Sequence, residues 1–241
     1  MGKVITLGLQ KGGVGKSTTT GVLAHFLRQD GNKVLVIDMD SQGNTTELLS
    51  EQPANNFMNR SILEAIVSKK PKDYIFGIRE NLDLLPANNF LALFPRWLYM
   101  YDLPNTEGKY HYSGLPHEQL NIMLQELRNE YDYILIDTPP SLSEHTTNAL
   151  VASDYVVVLY ECSKFCYSAI PNFMDSVKSA QVFGEHEVFP LGIIRTLNDR
   201  RRSDAKRFNK MIAQDFPDKV FDTIITRKAA TGRLSFFGFI E

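Results

Sequence analysis

Short apolar runs alternate along this chain with longer segments whose apolar residues recur at helical spacing. The apolar runs are residues 4–9, 33–38, 82–85, 133–137, 155–159, 188–194 and 220–225. Helical spacing is present in residues 16–29, 117–129, 169–182 and 205–214. Nearly unbroken apolar runs are typical of parallel strands that are covered on both faces. Their alternation with helices predicts an α/β fold with a doubly wound, mostly parallel sheet flanked by helices.

Length and composition favour one domain over residues 1–241. A chain of 241 residues that is 43% hydrophobic and 22% charged is large enough to bury its own core. No repeat, low-complexity segment or linker divides it. The least regular part is an aromatic-rich segment, residues 94–116, in which Trp97 and several tyrosines stand among prolines and glycines. We interpret it as a loop or lid insertion, which either covers the sheet edge or offers a surface to a partner.

Charge and cysteine content exclude several classes of protein. The 26 Lys and Arg residues nearly balance the 28 Asp and Glu residues, so the surface is not uniformly cationic. Cys162 and Cys166 have no second Cys or His cluster, which excludes a zinc site or a disulfide framework. The longest purely aliphatic run, residues 156–159, is far shorter than the roughly 18 residues of a membrane span. We expect a cytoplasmic protein.

A glycine-rich segment, residues 10–18, follows the first predicted strand and opens the first predicted helix. In that context successive backbone N–H groups surround phosphate oxygens, and the helix N-terminus adds partial positive charge. Lys16 supplies a cation to the β- and γ-phosphates, and Ser17 supplies a hydroxyl ligand for Mg²⁺. Gln10 replaces the first glycine of the general P-loop pattern, and Lys11 is an additional lysine. The sequence therefore predicts a variant P-loop.

The segment Lys-Gly-Gly-Val-Gly-Lys-Ser-Thr, residues 11–18, resembles the deviant Walker A motif of the ParA/MinD family of P-loop ATPases. Residues 34–44 (VLVIDMDSQGN) are similar to that family's D-x-D-P-Q-G-N motif, with Ser41 in place of the proline. Residues 134–142 (ILIDTPPSL) are similar to its Walker B motif. Further similar stretches extend the resemblance over nearly the whole chain. The chain most resembles the short, Soj-like ParA partition ATPases.

The resemblance implies a Mg²⁺-dependent ATPase whose cofactors are ATP and Mg²⁺. The implied catalytic residues are Lys11, Lys16 and Asp40, of which Asp40 orients or deprotonates the attacking water. The implied metal ligands are Ser17, Asp38 and Asp137. The implied nucleotide contacts are Gly12, Gly13, Val14, Gly15, Lys16, Ser17, Thr18, Asn198 and Arg227. The positions of Asp38 and Asp137 at the ends of apolar runs support their assignment to the site independently of the resemblance, because open α/β sheets bind ligands at the carboxyl ends of their strands.

The same resemblance implies three partners. In the family the additional lysine, here Lys11, reaches the phosphates of a second subunit, which implies an ATP-dependent homodimer. Residues 195–210 carry seven basic and two acidic residues. Such a run is ordinarily a solvated helix face, but the resemblance implies non-specific DNA binding. The implied DNA-binding residues are Arg200, Arg201, Arg202, Lys206 and Arg207. A ParB-type centromere-binding protein would stimulate hydrolysis, so that plasmid or chromosomal DNA is segregated over the nucleoid.

Other interpretations share the nucleotide motifs. A MinD-like positioning ATPase would bind lipid through a C-terminal amphipathic helix, and no such segment is recognisable here, so no membrane partner is expected. A relative of the nitrogenase iron protein would bridge a cluster through cysteines, but Cys162 and Cys166 lie elsewhere, after the run at residues 155–159. An inactive nucleotide-gated scaffold would lack some of the charged motif residues, and this chain retains them all.

Overall fold

A computed structural model describes residues 1–100, 114–184, 187–198 and 203–226, which form one eight-stranded sheet with helices packed against both faces. The strands are β1 (Lys3–Gly8), β2 (Val34–Asp38), β3 (Phe76–Arg79), β4 (Leu82–Leu85), β5 (Tyr133–Asp137), β6 (Tyr155–Glu161), β7 (Phe189–Asn198) and β8 (Val220–Thr226). The helices are α1 (Lys16–Gln29), α2 (Asn44–Ser50), α3 (Ile62–Ser68), α4 (Phe94–Met100), α5 (Gln119–Leu124), α6 (Glu144–Val151), α7 (Lys164–Gly184) and α8 (Ser203–Asp215).

The sheet has the strand order β3-β4-β2-β5-β1-β6-β7-β8. All neighbouring strands are parallel except β3 and β4, which confirms the predicted doubly wound, mostly parallel fold. The chain builds one side of the sheet, from β2 to β5, before it crosses to the other side of β1 with β6. The loop that follows β1 therefore lies at the point where the strand order reverses, which is where such sheets bind ligands.

Alternate residues of each central strand enter two separate cores. In β2, Val34 and Val36 belong to one core, whereas Leu35 and Ile37 belong to the other. Helices α1, α7 and α8 cover the first core, and α3, α4 and α5 cover the second. Burial on both faces explains why the central strands are nearly unbroken apolar runs, since successive side chains of a strand point to opposite faces.

The structure differs from the sequence prediction at the start of the 94–116 segment. Residues 94–100 form helix α4 instead of a loop, and Phe94, Trp97 and Leu98 are buried in the second core. Their spacing, three and then four residues from the first, is that of one helix face. Pro95 lies in the first turn, where its missing N–H costs no intrahelical hydrogen bond. Residues 101–113 lie outside the described residues.

Several elements were not predicted from the sequence. Strand β3 is short and antiparallel to β4, and helices α2, α3 and α6 each span only seven or eight residues. The helix predicted over residues 117–129 begins with a 3-10 turn at Pro116–Glu118 and ends as an α-helix at Leu124. Within the described ranges, no helix is both long and apolar enough to cross a lipid bilayer.

Candidate functional site

The P-loop joins β1 to α1 and depends on glycine at two positions. Gly13 and Gly15 have φ angles of 76° and 82°, in the left-handed region that other residues adopt at a cost. Gly15 is also the N-cap of α1, whose first turn has no acidic residue to oppose the positive end of the helix dipole. Between the glycines, the Val14 carbonyl accepts a 2.8 Å hydrogen bond from Thr196 Oγ1 of β7, which anchors the loop to the sheet.

The two P-loop lysines point to different environments. Lys16 is buried, and its Nζ donates a 3.0 Å hydrogen bond to the Lys11 carbonyl. Burial lowers the pKa of Lys16, while the carboxylates of Asp137 and Asp40 act to raise it. Lys11 is exposed, and its ammonium lies 5.6 Å from the centroid of the Phe165 ring, which is itself 72% exposed. One lysine therefore faces the acids of its own chain, and the other faces the surface.

Asp38 and Asp137 form a buried acid pair beside the P-loop. They are the last residues of β2 and β5, and they are partners in the register of these parallel strands. Both side chains are fully buried. Burial, followed by the neighbouring charge of Asp137, raises the pKa of Asp38. Burial also raises the pKa of Asp137, although the hydrogen bond from Thr45, the nearby Ser17 hydroxyl and the charge of Lys16 act in the opposite direction.

Two threonines at the start of α2 hold the acid pair. The backbone N–H and Oγ1 of Thr46 both donate 2.8 Å hydrogen bonds to Asp38 Oδ2, and Asp40 N donates to Asp38 Oδ1 at 3.1 Å. Thr45 Oγ1 donates a 2.6 Å hydrogen bond to Asp137 Oδ2. The other oxygen of Asp137, Oδ1, is buried and accepts no hydrogen bond from the described residues.

Sequence reasoning missed Thr45 and Thr46, whose hydrogen bonds hold the two acids. The available signal was that two buried carboxylates require hydrogen-bond donors, and a Thr-Thr pair follows the second acidic motif at the start of a helix. Thr46 Oγ1 also accepts a 2.8 Å hydrogen bond from Ala87 N, which ties Asp38 to the residues that follow β4.

Asp40 lies in the turn between β2 and α2. It is half-buried, and its Oδ1 accepts a 3.0 Å hydrogen bond from Gln42 N, the pattern of an Asx turn. Gly43, the N-cap of α2, has a φ of 66°, and a Cβ there would lie 2.5 Å from Cβ of Ala54. The turn therefore requires glycine, and the Asp40 carboxylate that it carries acts to raise the pKa of Lys16.

The side chains around Asp137 are suited to Mg²⁺. Ser17 lies in the first turn of α1, and its hydroxyl interacts with the Asp137 carboxylate. Carboxylate and hydroxyl oxygens are hard donors of the kind that Mg²⁺ prefers. Asp137 Oδ1 is buried without a hydrogen-bond partner in the part of the chain that the structure describes, which is costly unless a cation or water contacts it. The donor set and this oxygen therefore fit a Mg²⁺ ion.

The remaining predicted nucleotide contacts are placed only in part. Gly12 lies in the P-loop, and Thr18 lies in the first turn of α1. Asn198 ends β7, at the same edge of the sheet as the P-loop, and its register partner Thr226 ends β8. Arg227, the next residue along the chain, is outside the described residues.

The predicted DNA-binding residues are also placed in part. Lys206 and Arg207 are exposed on α8, where Lys210 extends the basic face by one turn. Residues 200–202, which include the three predicted arginines, lie outside the described ranges. Arg195, from the same basic stretch, donates hydrogen bonds to the backbone carbonyls of Phe221 and Asp222, so it joins β7 to β8.

Cys162 and Cys166 pack inside the first core. Both side chains are buried, and burial raises the pKa of each thiol. Cys162 Sγ donates a 3.1 Å hydrogen bond to Asn209 Oδ1 of α8. This environment is that of structural thiols, since reactive cysteines occupy exposed, electropositive surroundings.

Comparison with known proteins identifies the family. Residues 2–187 match the family described as an AAA domain. The sporulation initiation inhibitor protein Soj of Bacillus subtilis is 32% identical over 94% of this chain and 85% of its own length. The chain belongs to the ParA/MinD family. Within it, this Soj-like ATPase carries the deviant P-loop and both acidic motifs on the sheet edge described above.

Solved structures agree with the fold of this Soj-like ATPase. Cobyrinic acid a,c-diamide synthase from Mycobacterium smegmatis, crystallised with ADP and magnesium, has a TM-score of 0.83 and 27% identity, with 98% of this chain and 91% of that chain covered. A putative plasmid partition protein from Borrelia burgdorferi, bound to AMPPNP, has a TM-score of 0.77 and 29% identity, with coverage of 100% and 92%. The same fold thus occurs in proteins with different named activities.

Proposed function

We propose that this protein is a Mg²⁺-dependent DNA-partition ATPase that forms an ATP-sandwich homodimer, binds DNA without sequence preference and is stimulated by a ParB-type centromere-binding protein. The observation that carries the proposal is that one P-loop lysine is buried and the other is exposed. Lys16 is buried, and the Asp137 carboxylate influences its pKa, whereas Lys11 of the same loop is exposed. Lys16 thus serves a nucleotide in its own chain, and Lys11 serves one in a second copy.

The P-loop and the acid pair would bind Mg²⁺ and ATP together. The backbone amides of residues 12–15, Lys16 and Thr18 hold the phosphates, because a helix N-terminus and a buried cation both favour anions. Ser17, Asp38 and Asp137 would hold the metal. Bound Mg²⁺ supplies charge neutralisation at the β- and γ-phosphates. Asn198 and Arg227 remain the proposed contacts to the base.

Asp40 is the proposed residue for the water step. It lies in the turn after β2, its carboxylate acts to raise the pKa of Lys16, and among the described residues only Gln42 N donates a hydrogen bond to it, at Oδ1. The second carboxylate oxygen is therefore available to orient or deprotonate a water that attacks the γ-phosphate. Since phosphoryl transfer depends mainly on positioning and electrostatic stabilisation, a rigid turn held by Gly43 suits this role.

The exposure of Lys11 supports the proposed dimer. A charge-assisted hydrogen bond from an ammonium to a phosphate is strongest where water is excluded, as it is in an interface between two subunits. The phosphates of a nucleotide in a second subunit would provide such a partner for Lys11. Its contact with Phe165 is an exposed cation–π interaction of about 0.5–1 kcal/mol, which is readily exchanged for a contact to phosphate.

DNA binding is proposed for the basic face of α8 together with Arg200, Arg201 and Arg202. Lys206 and Arg207 are exposed there, and a dimer would present two such faces on one duplex. Contacts from lysine and arginine to phosphate carry affinity without sequence information. Relatives of this chain have names that refer to chromosome and plasmid partition, which supports plasmid or chromosomal DNA as the cargo and a nucleoid-associated, cytoplasmic location.

ATP turnover and self-association of the wild-type protein and the Asp40→Asn variant test the proposal. We expect the wild type to dimerise only with ATP and Mg²⁺ and to hydrolyse ATP slowly. The variant should still dimerise with ATP, while its turnover falls by about a hundredfold or more because the group that acts on water is removed. Asp175→Asn, a change of an exposed acid on α7, serves as the control. Wild-type turnover in Asp40→Asn, or a wild type that stays monomeric with ATP, would overturn the proposal.

A further inference from the structure

The two buried acids differ in how many of their oxygen positions the protein already uses. Asp38 accepts three hydrogen bonds, one on Oδ1 and two on Oδ2. Asp137 accepts the Thr45 hydroxyl on Oδ2, and its Oδ1 has no partner among the described residues. An ionised carboxylate offers about four acceptor positions. Hydrogen bonds therefore occupy most of the acceptor positions of Asp38. Among the described residues, nothing donates a hydrogen bond to Asp137 Oδ1.

We propose that Thr45 is a positioning residue that fixes the Asp137 carboxylate so that Oδ1 is the oxygen presented to Mg²⁺. The inference rests on the proposed function, in which Asp137 holds the metal. Thr45 acts through Asp137 and does not itself contact the metal. Asp38 is held separately, by Thr46 and the Asp40 amide, and its hydrogen bonds keep the neighbouring turn in place.

The position of Thr45 makes this restraint rigid. Thr45 is fully buried in the first turn of α2, and the N-cap of that helix, Gly43, packs against Ala54. The 2.6 Å hydrogen bond from Thr45 Oγ1 restrains the torsion of the Asp137 carboxyl group, because it ties Oδ2 to a donor that is itself fully buried. Partners that orient metal ligands in this way typically change metal affinity 10–100-fold when they are removed.

The test is the Mg²⁺ dependence of nucleotide binding, measured with a fluorescent, non-hydrolysable ATP analogue in Thr45→Val and Thr45→Ser. Valine keeps the branched shape of threonine without the hydroxyl, and serine keeps the hydroxyl. We expect Thr45→Val to raise the Mg²⁺ concentration needed for half-maximal binding by about tenfold, the lower end of that range. Thr45→Ser should remain within about twofold of the wild type, and binding of the analogue without Mg²⁺ should be unchanged in both.

A matched control separates this role from loss of a buried hydroxyl in general. Thr6 is also fully buried, and its Oγ1 lies 3.2 Å from the Ala149 carbonyl and 2.6 Å from Ser153 Oγ, away from both acids. Thr6→Val should leave the Mg²⁺ dependence at the wild-type value. Should Thr45→Val fold poorly in a thermal melt without Mg²⁺, Thr45→Ala supplies the same comparison without the branched side chain.

The possible outcomes distinguish the inference from the proposed function. Wild-type Mg²⁺ dependence in Thr45→Val, or equal defects in Thr45→Val and Thr45→Ser, would overturn the role of Thr45. Asp137→Asn serves as the reference for the metal site itself. If Asp137→Asn loses the Mg²⁺ dependence and Thr45→Val keeps it, only the inference about Thr45 fails. If Asp137→Asn keeps it, the metal site of the proposed function fails.

Discussion

Asp38 and Asp137 are register partners at the ends of two neighbouring parallel strands, and both are fully buried. This geometry places two carboxyl groups where water does not screen their repulsion. Backbone and hydroxyl donors satisfy most of their oxygens, and Lys16 supplies a nearby cation. When both groups are ionised, the two carboxylates therefore repel each other, and a bound cation would reduce that repulsion.

This repulsion predicts an unusual dependence of stability on pH. Burial and the charge of Asp137 raise the pKa of Asp38 to about 8, so the folded protein holds a proton that the unfolded chain releases near pH 4. Stability from this group is present at low pH, and it decreases as the pH rises from about 4 to about 8. With EDTA present to remove metal ions, the free energy of unfolding should fall less with rising pH in Asp38→Asn than in the wild type. The expected difference is at least about 1.4 kcal/mol, the equivalent of one pKa unit.

Urea unfolding of the wild type and Asp38→Asn at about pH 5 and about pH 8 measures this difference. Asp132→Asn, a change of an acid whose Oδ2 accepts an exposed hydrogen bond from Lys33 N, is the control. Parallel pH profiles for the wild type and Asp38→Asn would contradict the prediction.

Lys11 is predicted to act in association and not in nucleotide binding by a single chain. Lys11→Gln should weaken ATP-dependent dimerisation by about tenfold or more, because a charge-assisted hydrogen bond contributes about 1.5–3 kcal/mol. Its affinity for ATP as a monomer should stay within about twofold of the wild type, since Lys11 is exposed. Sedimentation and equilibrium nucleotide binding measure the two quantities.

Lys33→Gln is the matched control for this change. The Lys33 ammonium also lies over an aromatic ring, 4.8 Å from the centroid of Tyr131, but Lys33 immediately precedes β2, at the opposite end of that strand from Asp38. Lys33→Gln should dimerise as the wild type does. Equal dimerisation of Lys11→Gln and the wild type would be incompatible with the role given to Lys11.

Helix α4 is predicted to be part of the core that supports the site. Trp97 is 1% exposed and its ring stacks on Phe94, with centroids 6.0 Å apart, whereas Met100 on the same helix is 67% exposed. Trp97→Ala should lower the free energy of unfolding by about 3–5 kcal/mol. Met100→Ala should change it by less than about 0.5 kcal/mol. Similar effects of both changes in urea unfolding would mean that α4 does not pack through its Trp97 face.

Much of the fold was predictable because strands that are buried on both faces have nearly unbroken runs of apolar residues. Strands β4 and β5 coincide with the predicted apolar runs, since strands that are buried on both faces consist mainly of apolar residues. Strand β3 was missed because it has only four residues, includes Gly77, lies at the edge of the sheet and is nowhere fully buried. A short, half-exposed strand has no distinctive pattern.

The site was predictable where chemistry restricts the residue type, and less so elsewhere. Phosphate and Mg²⁺ strongly favour lysine, glycine and aspartate at particular positions of the P-loop and the acid pair, so Lys16 and Asp137 could be singled out from the sequence. Thr45 was not, because threonine occurs in many environments and its role depends on a carboxylate 92 residues away in the chain. Such a hydrogen bond is specified by strand order and helix placement, which only the three-dimensional structure supplies.

The most direct test of the proposed partition cycle is DNA binding by the purified protein to two unrelated duplexes, with ATP, ADP or no nucleotide, over a salt series. We predict tight binding to both duplexes only with ATP, and a log–log salt slope of about −0.9 for each neutralised phosphate. In each protomer, the double variant Lys206→Ala/Arg207→Ala should reduce the slope by about one for every phosphate that these side chains neutralise, whereas Lys178→Ala on α7 should not change it. Binding that is independent of nucleotide, or no binding in any state, would contradict the proposed cycle.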